Sequence, residues 1–318
     1  MLKAVDKSFE SPIHGLSDIC DIKPNPFKLV SPECIQYVPK QTPQYGFRKP
    51  LVEEFVAFLN DAQGDGLMIK GPTGSGKSSL VLELAARLGR PVQQVTCSAT
   101  MEIQDLIGQF RLVKDSDQVV TKFAYGVLPK AMMFGHILLL DEFDYAPPSS
   151  ISALNAVIQG SPLIIEAMGG QVVKPHPDFR LVITGNTGGS GDHQGGYVGT
   201  RQHNMAFLDR FRIMTVEYMS AVDEVVLLAD IFPEKELFIP RMVDLAVAVR
   251  ESNLKGDLAT TMSLRVMKRW LRLMDLYTND PCPLKRALNA ALLSRLDPND
   301  SVAINEMALG IFGSSWEK

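Results

Sequence analysis

Residues 71–78 read Gly-Pro-Thr-Gly-Ser-Gly-Lys-Ser, between an apolar run at 67–70 (Leu-Met-Ile-Lys) and the helical pattern of 78–88 (Ser-Ser-Leu-Val-Leu-Glu-Leu-Ala-Ala-Arg-Leu). A strand, a glycine-spaced turn and a helix in that order leave few folds open. Glycines let successive backbone N–H groups face one point, and the positive end of the following helix faces it too. The ligand such a turn suits is a phosphate chain. Gly71, Pro72, Thr73, Gly74, Ser75, Gly76, Lys77, Ser78 and Ser79 form the predicted cradle for ATP. Lys77 is expected to reach the β- and γ-phosphates and the Ser78 hydroxyl to join a Mg²⁺ shell.

The surrounding pattern is that of an α/β protein. Apolar runs at 67–70, 92–97, 136–141, 180–185 and 212–216 predict five strands, and helical spacing falls near 77–88, 101–107, 149–159 and 204–210. Strands alternating with helices indicate a parallel five-stranded sheet with helices on both faces. Two inserts interrupt that rhythm: 109–126 predicts two short strands around a polar turn, and 161–175 a second pair turning at Gly169-Gly170. Residues 1–49 are rich in proline and predict an extended arm. The nucleotide-binding core is expected over 50–219, and amphipathic helices predict an all-α lid domain over 220–318.

Composition narrows the setting. A chain of 318 residues, 46% hydrophobic, can bury a large core. Its net charge of −4, without blocks of like charge, gives no general reason to expect nucleic acid or an anionic membrane as partner. Four scattered cysteines without CxxC pairing read as reduced thiols, and neither a signal peptide nor a membrane span is visible. The expected location is the cytoplasm.

Two carboxylates end the apolar strand His-Ile-Leu-Leu-Leu-Asp-Glu at 136–142. In open α/β sheets that end is where ligands sit. Asp141 is expected to hold Mg²⁺, and Glu142 to polarise the attacking water as general base. Asn186 ends the next strand, either as a simple turn former or as an amide orienting water against the γ-phosphate. Arg210 follows a short helix. Beside Asp209 it reads either as a surface ion pair or as a finger reaching the nucleotide of a neighbouring subunit. Arg265, in the helical region, reads either as a solvated helix charge or as a second contact to the γ-phosphate. The glycine-rich stretch 184–200 fits a linker or an ordered loop that must bend sharply. His193 and His203 within and beside it lack the neighbours of a metal site.

With these residues placed, the chain resembles the AAA+ ATPases, and within them the MoxR group with two β-hairpin inserts. The resemblance puts Lys77 and Ser78 on Walker A, Asp141 and Glu142 on Walker B, Asn186 on sensor 1, Arg210 on the arginine finger and Arg265 on sensor 2. The run from Gly185 to Asn204 is similar to a loop in the ATPase subunits of aerobic cobaltochelatases, which implies an ordered loop. The P-loop and the run 141–150 are nearer the general MoxR pattern, and the Ser-Leu-Arg of 263–265 departs from the Ser-Pro-Arg of those subunits. Implied are a homo-oligomeric ring, a hexamer, working with a VWA-domain protein on a protein client. The alternative is a chelatase motor driving Co²⁺ insertion into a corrin ring held by a separate subunit. A nucleic-acid motor or a nucleotide-dependent scaffold ranks below both.

Overall fold

The computed structural model describes residue 16 and residues 19–115, 118–151, 153–191 and 197–316. Residues 116–117 of the first hairpin turn, residue 152 of the helix expected at 149–159, His193 and the middle of the glycine-rich stretch lie outside the described residues, as do 1–15, 17–18 and 317–318.

The described chain divides into two compact units. Of the described residues, the first comprises those up to 42, 47–71 and 77–216, and the second comprises 43–46, 72–76 and 217–316. In the first, α1 (Lys49–Asn60) leads to β1 (Gly66–Lys70), then α2 (Lys77–Arg87) and β2 (Val92–Thr96). There follow α3 (Ile103–Ile107), the hairpin β3 (Gly108–Asp115) and β4 (Gln118–Tyr125), α4 (Val127–Phe134) and β5 (Ile137–Asp141). Next come α5 (Leu154–Ile158), the second hairpin β6 (Leu163–Ile165) and β7 (Gln171–Val173), β8 (Arg180–Gly185), α6 (Met205–Leu208) and β9 (Phe211–Thr215).

Five of these strands form one parallel sheet in the order β2-β5-β8-β1-β9. Because side chains alternate along a strand, a sheet covered on both faces needs apolar residues at every position. β5 meets that need with Ile137, Leu138, Leu139 and Leu140, all fully buried. Ile137 and Leu139 pack on one face with Val52, Phe55 and Val56 of α1 and Leu80, Val81 and Leu84 of α2. Leu138 and Leu140 pack on the other with Leu106, Leu128, Met132 and Leu154. The helix expected at 149–159 is shorter than its pattern: α5 begins only at Leu154. Residues 149–151 form a turn instead, in which the Ser150 N–H donates to the Pro147 carbonyl and the Ser150 hydroxyl to the Met101 carbonyl. The second hairpin turns at Gly169 and Gly170, with φ of 68° and 83°.

The second unit is helical: α7 (Ala221–Ile231), α8 (Ile239–Lys255), α9 (Leu264–Leu276), α10 (Pro283–Ala291) and α11 (Pro298–Phe312). Its core closes on Trp270, whose ring meets Phe312 and Trp316 edge-on and whose indole N–H donates to the Leu284 carbonyl at 2.8 Å. Polar order inside this unit comes from Arg250. Its guanidinium makes two parallel bonds of 2.8 Å to Glu224, which is 1% exposed, and lies 4.1 Å from the Tyr218 ring centroid. No helix among the described residues is long and apolar enough to cross a membrane.

Removing one member of a buried, bidentate ion pair strands the other charge. Arg250→Met is therefore expected to cost about 3 kcal/mol in urea denaturation, and adding Glu224→Leu to recover most of that loss. Equal costs for the single and double variants would mean that the pair contributes only packing.

Candidate nucleotide site

The strand order brings the carboxyl ends of β1, β8 and β5 side by side, with Lys70 opposite Gly185 and Leu140 opposite Ile183. Each end delivers one of the sequence-predicted groups. The turn after β1 carries Lys77 into the first position of α2, where it is 9% exposed. Its ammonium donates to the Gly71 carbonyl at 2.8 Å and to Oδ1 of Asn186 at 2.7 Å. Asn186 is thus joined to the lysine of the glycine turn.

At the end of β5, Asp141 accepts from the Ser78 hydroxyl at 2.5 Å and from Gln94 at 3.3 Å. Thr184 of β8 also donates its hydroxyl to Asp141, and its oxygen accepts from the Glu142 backbone N–H at 3.2 Å. The pair of hard oxygens at Ser78 and Asp141 fits a Mg²⁺ ion, which takes one or two protein oxygens and draws its remaining ligands from phosphate and water. Behind it, Cys97 donates its backbone N–H to the Asp141 carbonyl at 2.8 Å. Burial, and then the charges of Asp141 and Glu142, push its thiol up to about 12, so it stays protonated and inert.

Glu142 is exposed and sits at φ 56°, ψ 40°, in the left-handed region. For a non-glycine residue that conformation carries about 1–3 kcal/mol of strain, and it turns the side chain out of the strand line. The turn continues as one 3-10 turn, Phe143–Tyr145.

Within the second unit, the tip of the phosphate turn is held closely. The Tyr218 hydroxyl donates to the Thr73 carbonyl at 2.9 Å. Gly74 has φ 73°, and a Cβ there would lie 2.4 Å from that of Ser263, so only glycine fits. Ser263 precedes the first residue of α9 and stands two residues before Arg265, which is exposed. Arg210 is half-buried and folds back so that its guanidinium donates to the Ala206 carbonyl of α6. His203 is buried with its ring 4.6 Å from that of Phe143. Burial holds its imidazole below the usual range.

Sequence reasoning passed over two residues. Thr184 looks like an ordinary strand residue until the sheet sets it beside Asp141. Asp144 is the other: its carboxylate is 1% exposed and takes the backbone N–H groups of Asn186, Thr187 and Gly189 and the Thr187 hydroxyl. A charged residue between Phe143 and Tyr145 in an apolar stretch was the available signal, since such groups are buried only when paired.

A lysine in a glycine turn, a hydroxyl and carboxylate pair, and an amide on the adjoining strand together define a P-loop nucleotide-binding site. Residues 66–211 match the AAA domain (dynein-related subfamily). The chain is 30% identical over 283 residues to the aerobic cobaltochelatase subunit CobS of a Sinorhizobium species, covering 87% of this chain and 83% of that protein. It is 27% identical over 264 residues to the uncharacterized protein YojN of Bacillus subtilis, covering 81% and 82%. An uncharacterized protein of Staphylococcus aureus matches at 30% over 252 residues, covering 75% of this chain and 89% of its own length. A solved structure from Cytophaga hutchinsonii aligns over 87% of this chain and 83% of its own at 16% identity, with a TM-score of 0.46, too loose a likeness to carry an argument. The chain belongs to the AAA+ ATPases, in their CobS-like group, and is an ATP-hydrolysing enzyme.

The strain at Glu142 is testable on its own. Glu142→Gly is expected to raise stability by about 1 kcal/mol in urea denaturation, because glycine occupies the left-handed region without a Cβ clash. A loss of stability would show that the turn is not strained.

Proposed function

We propose that this chain is the motor of a protein-remodelling assembly, a ring of identical subunits that uses ATP hydrolysis to act on a protein client together with a VWA-domain partner. The observation that carries the reading is the hydrogen-bonded chain across three strand ends, Lys77 to Asn186 and Ser78 to Asp141 to Thr184. In this reading Lys77 holds the β- and γ-phosphates, and the N–H groups of 72–78 cradle them. Ser78 and Asp141 would hold Mg²⁺, which when bound neutralises charge on the phosphates. Glu142 takes the proton of the attacking water, and its outward turn leaves the carboxylate accessible. Asn186, fixed on Lys77, orients that water.

Arg210 fits a role in trans. Among the described residues its hydrogen bonds run to α6 and to the start of β1, through Ala206, Phe207 and Gly66, and not to the Lys77–Asn186 pair. Released from the Ala206 carbonyl, its guanidinium would meet the γ-phosphate of the next subunit and stabilise charge developing there. Arg265 would supply the corresponding contact from the nucleotide's own subunit. Four free cysteines accord with work in the reducing cytoplasm.

A second reading, a cobaltochelatase motor, is favoured by the 30% identity to the CobS subunit over 83% of its length. Because Glu142→Gln is expected to keep ATP affinity while turnover falls at least ~100-fold, it serves as a trap that distinguishes the two. Recovery from native extract of a VWA-domain protein with a client other than a corrin enzyme supports remodelling. Recovery of a very large partner with bound corrin supports the chelatase. For the ring itself, Arg210→Ala and Lys77→Ala subunits, each inactive alone, should partly restore hydrolysis when mixed; no recovery would count against a finger acting in trans.

A further inference from the structure

The glycine-rich segment after β8 is ordered at both ends, and one residue meets both, the near end with its side chain and the far end with its main chain. Asp144 accepts at its carboxylate from the N–H groups of Asn186, Thr187 (3.0 Å) and Gly189 (3.0 Å) and from the Thr187 hydroxyl (2.9 Å). Its backbone carbonyl accepts from the N–H of Arg201 at 2.7 Å, at the far end of the segment. Further bonds draw the two ends together: the His203 N–H donates to the Gly189 carbonyl at 2.9 Å, and Ser190 pairs with Gln202. The neighbour of Asp144 completes the anchor, since the Phe143 ring lies against His203 and stacks on Phe207 of α6 at 5.6 Å.

The same carboxylate explains a glycine. A Cβ at Gly185 would lie 2.8 Å from both carboxylate oxygens, so the residue before Asn186 must have no side chain for Asp144 to reach the main chain. Asn186 is thereby held from two directions. Its N–H is fixed by Asp144 and its Oδ1 is fixed 2.7 Å from the Lys77 ammonium. Charge-assisted bonds in a desolvated site are shorter and stronger than neutral ones. Asp144 also stands two residues after Glu142, on the turn that Glu142 enters in the left-handed conformation.

We propose that Asp144 is a positioning residue for ATP hydrolysis: it sets the main chain of Asn186 so that the amide meets Lys77, and it ties the turn after Glu142 to both ends of the glycine-rich loop. It touches no reacting atom. Its effect passes through Asn186, so the inference rests on the proposed role of that amide.

The test is a double-mutant cycle in the full-length assembled protein, reading kcat and KM for ATP and, separately, affinity for a fluorescent ATP analogue. Asp144→Asn keeps the shape but puts an NH₂ group against N–H donors. It is expected to lower kcat about 10- to 100-fold while KM and analogue affinity stay within about threefold of the parent, since only transition-state orientation is lost. In the Asn186→Ala background, Asp144→Asn is expected to add nothing. Losses that multiply, in a background where Asn186→Ala alone is slow, would overturn the positioning role and leave the role of Asn186 standing. An Asn186→Ala enzyme with parental kcat would overturn the role of Asn186 and the inference with it. Equal loss of analogue affinity and kcat in Asp144→Asn would also overturn it. Should that variant fail to fold, Thr187→Val removes one of the four bonds without touching Asp144. It is expected to lower kcat about threefold at constant KM, and only when Asn186 is present; an unchanged kcat, or the same loss without Asn186, sinks the proposal.

Discussion

Everything at the nucleotide site depends on three parallel strands ending at one level. Parallel strands send all their carboxyl ends to the same edge of the sheet, and the order β2-β5-β8-β1-β9 makes neighbours of the three that matter. Lys77 follows one, Asp141 closes the second and Asn186 follows the third. Groups separated by 109 positions in the chain meet at 2.7 Å because the backbone ladder fixes where each strand stops. The hydrophobic run of β5 thus does two tasks. Its four buried residues anchor the sheet from both faces, and that rigidity sets where the carboxylate after them lies.

Around that edge the chain accepts local cost in exchange for direction. Glu142 occupies a conformation that favours glycine, and Asp144 gives up hydration entirely. Both lie within one short turn, and they are compensated differently. The Asp144 carboxylate recovers its lost water through four donors, all from the segment after β8. The Glu142 backbone is held by the Thr184 hydroxyl. In each case the compensating group comes from β8 or the loop that follows it, so the turn after β5 and the segment after β8 are one structural object.

The turn at 71–78 and the carboxylates closing β5 at 141–142 were legible because they depend on contiguous residues: glycine spacing, an adjacent strand and a charged end to an apolar run. The five strands and both hairpins were legible for the same reason, as periodicity is local. What escaped was what only the sheet assembles. Thr184 carries no pattern of its own, and its meaning arises from standing beside Asp141. Asp144 sat within a motif already read for its first two acids. The helix at 149–159 was overextended because apolar spacing continues through a turn that Ser150 ties to the Met101 carbonyl, a contact distant in sequence. The question posed by the glycines of 184–200 is answered at both ends of the segment, where Asp144 and the pairing of Ser190 with Gln202 give it order.

The second compact unit is assembled from three stretches of chain, 43–46, 72–76 and the described residues from 217 on. Two of them are only a few residues long, yet one is the tip of the phosphate turn, held by Tyr218 and Ser263. A helical fragment excised at residue 217 would therefore lack part of its own packing. During synthesis the early segments leave the ribosome long before the helices that receive them, and must wait about 150 residues, or on the order of ten seconds or more, for their partners. The phosphate turn is in this sense the last part of the nucleotide site to mature, although its residues are among the first to be made.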